Sequence, residues 1–251
     1  MKKLSLLMGC ILAASSSIGF AADKLKLAVD VPYEPFEYKA PDGTLTGFEI
    51  DLGNAVCAEI KAECEWVIQA WDGIIPGLLA RKYDVIFSSM SITPERAEKV
   101  LFSEGYYNTP SAWFGKKGTD LDVTDKAAFK GLRVGVQRGT VQDDYVTKDI
   151  GADTVEIKRY TTADDLVLDL TGGRLDLVFL DFPVGESTIL KDENYQSVGD
   201  TMQVGGEGVG AAFRKRDKDL AEKFNAALKK LKEDGTYDEI MNKYFSYSIK
   251  I

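Results

Sequence analysis

Residues Leu79–Ser88 read LARKYDVIFS, and residues Leu170–Asp181 read LTGGRLDLVFLD. Each stretch has the end of a helical pattern, a basic residue, an aspartate, a short apolar run and a polar residue where the run stops. An apolar run of this length, bounded by turn residues, is the pattern of a strand buried on both faces. Two units built alike predict two similar halves. In open α/β sheets ligands sit beyond the carboxyl ends of the strands, which singles out Ser88 and Asp181.

The same pattern extends outward. Lys24 to Asp30 alternates apolar and polar residues and reads as a strand ending at Asp30. Pro41-Asp42-Gly43-Thr44 reads as a hairpin tip. Helical spacing runs from Phe48 to Lys61, a strand from Cys64 to Ile68, and a short helix from Asp72 to Arg81 with Ile74, Ile75, Leu78 and Leu79 inward. Thr93-Pro94-Glu95-Arg96 opens another helix, with threonine as N-cap and proline at the first helical position. Leu132 to Val136 is a strand, and Gln137-Arg138-Gly139-Thr140 is a loop opening a helix. A helix over Thr162 to Leu170 precedes the strand that ends at Asp181. Thr201–Val204 and Val209–Phe213 read as extended, and helices follow over Leu220–Asp234 and Tyr237–Phe245. Strands alternating with helices predict α/β layers with a largely parallel sheet.

Composition bounds the chemistry. The chain has 251 residues, a formal charge of -9 and no histidine. A basic nucleic-acid face is therefore not expected, and histidine triads and histidine metal sites are excluded. Met1-Lys2-Lys3 is a positive start, Leu4 to Phe20 carries no charge, and Gly19-Phe20-Ala21 offers small residues for cleavage. This predicts a secretory signal peptide over residues 1–21. A membrane anchor would need about 20 apolar residues, and the run is shorter and rich in serine. Leu7-Met8-Gly9-Cys10 sits too early to serve as a lipoprotein box. Export to an oxidising compartment leaves Cys57 and Cys64 either as one structural disulfide or as two buried thiols.

The strand ends carry the polar groups. Ser88-Ser89-Met90-Ser91-Ile92-Thr93-Pro94-Glu95-Arg96 brings hydroxyls, a helix start and an arginine together, which suits a carboxylate. The plainer reading is a helix cap with a solvated arginine. Gly139-Thr140-Val141-Gln142 is a second helix start, without the glycine-lysine-serine pattern of a phosphate loop. Asp181 reads either as a partner for an ammonium group or as a cap of the following turn. Tyr33 and Trp71 read either as aromatic faces for a ligand side chain or as ordinary packing.

Taken in order, Asp30-Val31-Pro32-Tyr33-Glu34-Pro35-Phe36, Gly47 to Leu52, Ser88 to Arg96, Gly135 to Gln142 and Gly173 to Asp181 resemble the periplasmic solute-binding proteins for polar amino acids. Within that family the chain is most similar to the lysine/arginine/ornithine- and histidine-binding proteins. The resemblance covers essentially the whole mature chain, and the Cys57–Cys64 pair matches the disulfide of the basic amino-acid binders. It implies a type II periplasmic binding fold with two crossover strands as hinge, near Asn108–Ser111 and Val204–Gly206. Lobe I would comprise residues 22–109 and 206–251, and lobe II residues 110–205.

It also implies a periplasmic monomer that binds a cationic L-amino acid, uses no cofactor or metal, and delivers its ligand to an ABC permease in the inner membrane. Carried over residue by residue, Arg96 would clamp the α-carboxylate with Ser91, Ser89 and the N–H groups around Thr140 and Val141. Asp181 would take the α-ammonium with Ser88. Tyr33 and Trp71 would flank the side chain, Asp30 would meet its distal charge, and Gln142 would line the cleft. Three positions depart from the family pattern: Val141 replaces a threonine, Gln137 a leucine, and Trp71 a leucine or phenylalanine. They leave glutamine, histidine and opines as alternative ligands. A sensing partner of a membrane receptor and a cyclohexadienyl-dehydratase-like enzyme are the alternatives of other classes.

Overall fold

The computed structural model describes residues 23–206 and 208–251; the expected signal peptide lies outside the described residues. The chain opens with β1 (Asp23–Val29), the hairpin β2 (Tyr38–Lys39) and β3 (Leu45–Thr46), and helix α1 (Phe48–Glu59). Then come β4 (Ala62–Ile68), α2 (Ile74–Leu79), β5 (Val85–Ile86), α3 (Pro94–Ala97) and β6 (Leu101–Phe102). The middle holds β7 (Ser111–Lys116), β8 (Arg133–Gln137), α4 (Val141–Tyr145), β9 (Glu156–Tyr160), α5 (Ala163–Thr171), β10 (Leu177–Asp181), α6 (Phe182–Thr188) and β11 (Tyr195–Met202). The last elements are β12 (Ala212–Phe213), α7 (Lys218–Glu233) and α8 (Thr236–Tyr244).

Apart from the β2–β3 hairpin, these strands form two five-stranded sheets, ordered β4-β1-β5-β12-β6 and β11-β7-β10-β8-β9. The chain passes from the first sheet to the second between Phe102 and Ser111, and returns between Met202 and Ala212. Both sheets are mixed, which corrects the expectation of largely parallel pairing. β4, β1 and β5 are parallel neighbours, as are β10, β8 and β9. β12 and β7 lie antiparallel to β5 and β10. These are the strands that arrive directly from the opposite sheet rather than through a helical crossover, so the parallel rule does not govern them.

The repeated aspartate has one structural cause in both halves. Asp84, ahead of β5, accepts the Lys26 N–H at 3.3 Å and an Arg214 N–H at 2.9 Å. Asp176, ahead of β10, accepts the Arg133 N–H at 2.8 Å and the same residue's guanidinium at 2.7 Å. Each carboxylate thus ties a strand start to its parallel neighbour. The apolar runs that follow are fully buried, with Val85, Ile86, Phe87, Leu177, Val178 and Phe179 all 0% exposed.

Helices α1, α7 and α8 pack together against the first sheet, and an aromatic cluster of Phe36, Phe48, Tyr107 and Phe245 joins them to the chain before β7. In the second sheet Trp113 stacks on Phe179 at 4.3 Å between ring centroids. Leu79, expected inward, is 49% exposed, because α2 ends there and the chain turns away through Arg81 at φ 61°. Sequence reading omitted β6, β7, β9 and α6, and of β11 caught only Thr201 and Met202. β9 is an edge strand with exposed polar positions, whereas α6 carries a proline in its first turn that marks its start.

Cys57 on α1 and Cys64 on β4 are bonded, with Cα atoms 6.1 Å apart. Replacing both by serine is expected to lower stability by about 2–3 kcal/mol by freeing the unfolded chain. The thermal midpoint should fall by roughly 5–10 °C. An unchanged midpoint would mean that the short loop needs no such constraint.

Candidate functional site

The carboxyl ends of both sheets converge on one cavity. Its lining comprises all the candidate residues, Asp30, Tyr33, Trp71, Ser88, Ser89, Ser91, Arg96, Gln137, Thr140, Val141, Gln142 and Asp181, together with Glu37.

From the first sheet, Asp30 follows β1 and Ser88 follows β5. The Asp30 N–H donates to Ser88 Oγ at 2.9 Å, which ties the two strand ends together. Ser89 is left-handed at φ 48°, a conformation a serine adopts only under constraint. The constraint is visible: its N–H donates to buried Glu49 Oε1 at 3.0 Å. Thr93 caps α3 by accepting the Arg96 N–H at 3.2 Å. The cap reading of this segment is thus correct, but Arg96 is not solvated. Its Nη1 donates to the Ser91 carbonyl at 2.9 Å, its Nη2 to the Gly139 carbonyl at 3.3 Å, and its Cζ sits 5.2 Å from the Trp71 ring centre.

From the second sheet, Gln137 ends β8 and donates to Asp30 Oδ2 at 2.6 Å and to the Thr161 carbonyl at 3.1 Å. Gly139 takes φ +75°, which turns the chain into α4. Thr140 caps that helix by accepting the Asp143 N–H at 3.2 Å, so its hydroxyl is spent on the fold. Asp181 ends β10 and makes no side-chain cap to α6, which removes the plainer reading of that residue. Its Oδ2 accepts from the Tyr33 hydroxyl at 2.5 Å, and its Oδ1 from Gln142 at 3.1 Å and Thr109 at 3.4 Å. Trp71 faces Arg96 and donates its indole N–H to the Gly139 carbonyl at 3.0 Å.

Burial dominates the electrostatics. It pushes Asp30 up to about 6, against the lowering effect of the Gln137 hydrogen bond. It pushes Asp181 up to about 6 as well, although Tyr33, Thr109, Gln142 and the nearby Arg96 charge favour the anion. Burial lowers Arg96 to about 10. Charged groups short of water and short of counter-charges are what a charged ligand would complete.

Glu37 was not among the candidates. The resembling stretch Asp30–Phe36 stops one residue before it, and a glutamate in a hairpin region reads as solvated. Nothing in the sequence around it marks it as the buried acid of the pair Glu34 and Glu37.

Residues 25–247 match the family model of bacterial extracellular solute-binding proteins, family 3. The chain belongs to that family. An L-arginine-binding protein of Pseudomonas aeruginosa is 44% identical over 256 residues, which cover 99% of this chain and 98% of that one. A lysine/arginine/ornithine-binding periplasmic protein of Escherichia coli is 35% identical, covering 98% of this chain and 96% of that one. Among solved structures, a Salmonella typhimurium periplasmic binding protein of high arginine specificity superposes with a TM-score of 0.84 at 30% identity, covering 90% of this chain and 100% of that one. The fold of this family 3 member is the type II periplasmic binding fold, and it is a binding protein rather than an enzyme.

The buried carboxyls give the ligand-free protein a defined pH response. For a carboxyl whose folded pKa is raised, the stabilisation is complete below the unfolded pKa and is lost as pH rises through the folded one. Burial raises Asp30 and Asp181 to about 6 and Glu49 to about 7, which places that loss between about pH 4 and 7.5. The thermal midpoint of refolded, ligand-free protein should fall across this window, and less steeply for Asp30→Asn. A rising or flat midpoint would show that these carboxyls are not held in a dry cavity.

Proposed function

We propose that this family 3 protein is the periplasmic receptor of an ABC importer for a cationic L-amino acid, arginine or ornithine first, then lysine or histidine. One observation carries the reading: a single cavity holds Arg96 with two carboxylates, Asp30 and Asp181, brought from opposite sheets. A zwitterionic head group with one additional positive charge complements that set.

In this reading Arg96, Ser91, Ser89 and the N–H groups of Thr140 and Val141 take the α-carboxylate, and Asp181 with Ser88 takes the α-ammonium. Tyr33 and Trp71 flank the side chain, Trp71 also backing Arg96, and Gln142 supports Asp181. Asp30 meets the distal charge. Gln137 strengthens the preference for a cation: both protons of its Nε2 are engaged, on Asp30 and on Thr161. Its carbonyl oxygen is therefore the end left for a ligand, and it accepts from a guanidinium or ammonium. The names of the arginine- and lysine/arginine/ornithine-binding relatives agree with this chemistry. Residues 22–109 and 206–251 form one lobe and residues 110–205 the other, and the two close on the ligand. Residues 1–21 are the export signal, removed on the way to the periplasm.

The test is a thermal-shift panel on unfolded and refolded protein with arginine, ornithine, lysine, histidine, glutamine and octopine. A ligand at about 100 times its dissociation constant stabilises by roughly 2.7 kcal/mol, which at this size raises the midpoint by about 5–10 °C. Arginine or ornithine should give the largest shift. A response confined to glutamine or octopine would overturn the side-chain assignment, and silence across the panel would overturn the receptor reading. Arg96→Ala should weaken arginine binding by about 30-fold or more, because it leaves a buried carboxylate unpaired. Asp30→Asn should weaken arginine far more than glutamine. Equal losses for both ligands would remove Asp30 from the side-chain subsite.

A further inference from the structure

Three hydrogen bonds across the cavity engage groups that the proposed ligand would take: Gln137 to Asp30, Tyr33 to Asp181, and Arg96 to the Gly139 carbonyl. A further one does not. The Trp71 indole N–H donates to the same Gly139 carbonyl at 3.0 Å. Trp71 opens a short turn, Trp71–Gly73, just after β4 of the first sheet. Gly139 lies between β8 and α4 on the side of the second sheet. The bond therefore ties the two sides of the cleft together, through a nitrogen and an oxygen that the head-group and side-chain assignments leave free.

The acceptor is held from behind. The Gly139 N–H donates to Asp143 Oδ2 at 3.0 Å, and Asp143 Oδ1 accepts from Nε of Arg159, on β9, at 2.8 Å. Asp143 is buried, so this brace is part of the lobe's interior. The Gly139 oxygen has two lone pairs and meets two donors, Trp71 Nε1 at 3.0 Å and Arg96 Nη2 at 3.3 Å. A ligand carboxylate acts differently on the two. A guanidinium N–H gains by leaving a neutral carbonyl for a carboxylate. The indole N–H is neutral and already makes the shorter bond. Binding in the proposed receptor would thus draw Arg96 off the carbonyl and leave Trp71 on it. The Arg96 Cζ lies 5.2 Å from the Trp71 ring centre, so fixing the indole also fixes the face beside the guanidinium. Leucine or phenylalanine in this place would offer no proton.

We propose that the Trp71 indole N–H is a latch across the cleft: it holds the Gly139 carbonyl of the opposite side with or without a ligand, and so sets how slowly a bound amino acid leaves. The latch must break before the cleft opens, and affinity differences among variants of one site lie mostly in the dissociation rate. Because neither latch atom touches the ligand side chain, the latch slows every amino acid alike. The inference rests on the amino-acid receptor reading under the proposed function and deepens it: retention and selectivity are carried by different atoms.

The experiment follows the release of radiolabelled L-arginine, L-ornithine and L-lysine into excess unlabelled ligand from refolded wild type, Trp71→Phe and Trp71→Leu, with a thermal midpoint to confirm that each is folded. Phenylalanine keeps an aromatic face and loses the N–H. Trp71→Phe should release all three amino acids about three- to tenfold faster than wild type, by factors that agree within about twofold. Trp71→Leu loses the face as well, and should be no more than about threefold faster again. A Trp71→Phe protein that releases its ligands at the wild-type rate overturns the latch. Beside a fast Trp71→Leu, the same result would assign the effect to the ring face. An increase confined to arginine would make Trp71 a reader of the side chain and would equally overturn the proposal. If Trp71→Leu does not fold, the phenylalanine variant still decides. Wild type that retains the amino acids while Trp71→Phe releases them no faster removes only this inference, whereas wild type that retains none of the three removes the proposed function itself.

Discussion

A carboxylate taken out of water is costly unless a cation or several donors meet it, and this cleft is organised around two that are only half compensated. Asp30 has one side-chain donor, Gln137. Asp181 has Tyr33, Thr109 and Gln142. All four donors are neutral, and the guanidinium in the same cavity, Arg96, spends its hydrogen bonds on two carbonyls. The carboxyls therefore sit near about 6 rather than in their ordinary range. Everything that positions them follows from the sheets: each carboxylate stands at or just past the end of a buried strand, where backbone direction alone brings polar groups to a common rim.

The fold was legible where one local rule dominated. Buried apolar runs, the Thr93 and Thr140 caps and the amphipathic α7 each follow from sequence spacing, and the structure places them as the spacing predicts. Legibility failed where tertiary context decided. β7 and β12 run against their neighbours because they arrive from the other sheet, which no local pattern records. β9 is an edge strand whose mixed polarity hides its extended backbone. The cavity lining was readable because its residues cluster at strand ends and helix starts. Glu37 escaped because nothing in Tyr33-Glu34-Pro35-Phe36-Glu37 distinguishes the exposed acid from the buried one. The difference appears only when Ser88 and Ser89, some fifty positions later, supply its donors.

Several contacts cross from one sheet to the other: Gln137 to Asp30, Tyr33 to Asp181, and Trp71 and Arg96 to the Gly139 carbonyl. The exposed pair of Lys191 and Glu34 at 3.0 Å joins them from outside, although an exposed ion pair contributes little. The inner contacts have consequences for selectivity. In two of them, Tyr33 to Asp181 and Arg96 to Gly139, a neutral group occupies a position that a charged one suits better. In the proposed receptor the Gly139 carbonyl stands where a ligand carboxylate would meet Arg96, and the Tyr33 hydroxyl rests on the Asp181 oxygen that an ammonium would seek.

Charge-assisted hydrogen bonds are roughly twice as strong as neutral ones, so in the proposed receptor a ligand carboxylate and ammonium displace these two contacts at a gain. One without them must break the contacts for nothing better. A neutral side chain would strand Asp30 or leave it to Gln137, and a molecule lacking the carboxylate would leave Arg96 on its carbonyls. Discrimination in the proposed receptor therefore comes less from shape than from exchange: the protein satisfies its own buried charges just well enough to persist without a ligand, and poorly enough that a fully charged partner improves on the arrangement.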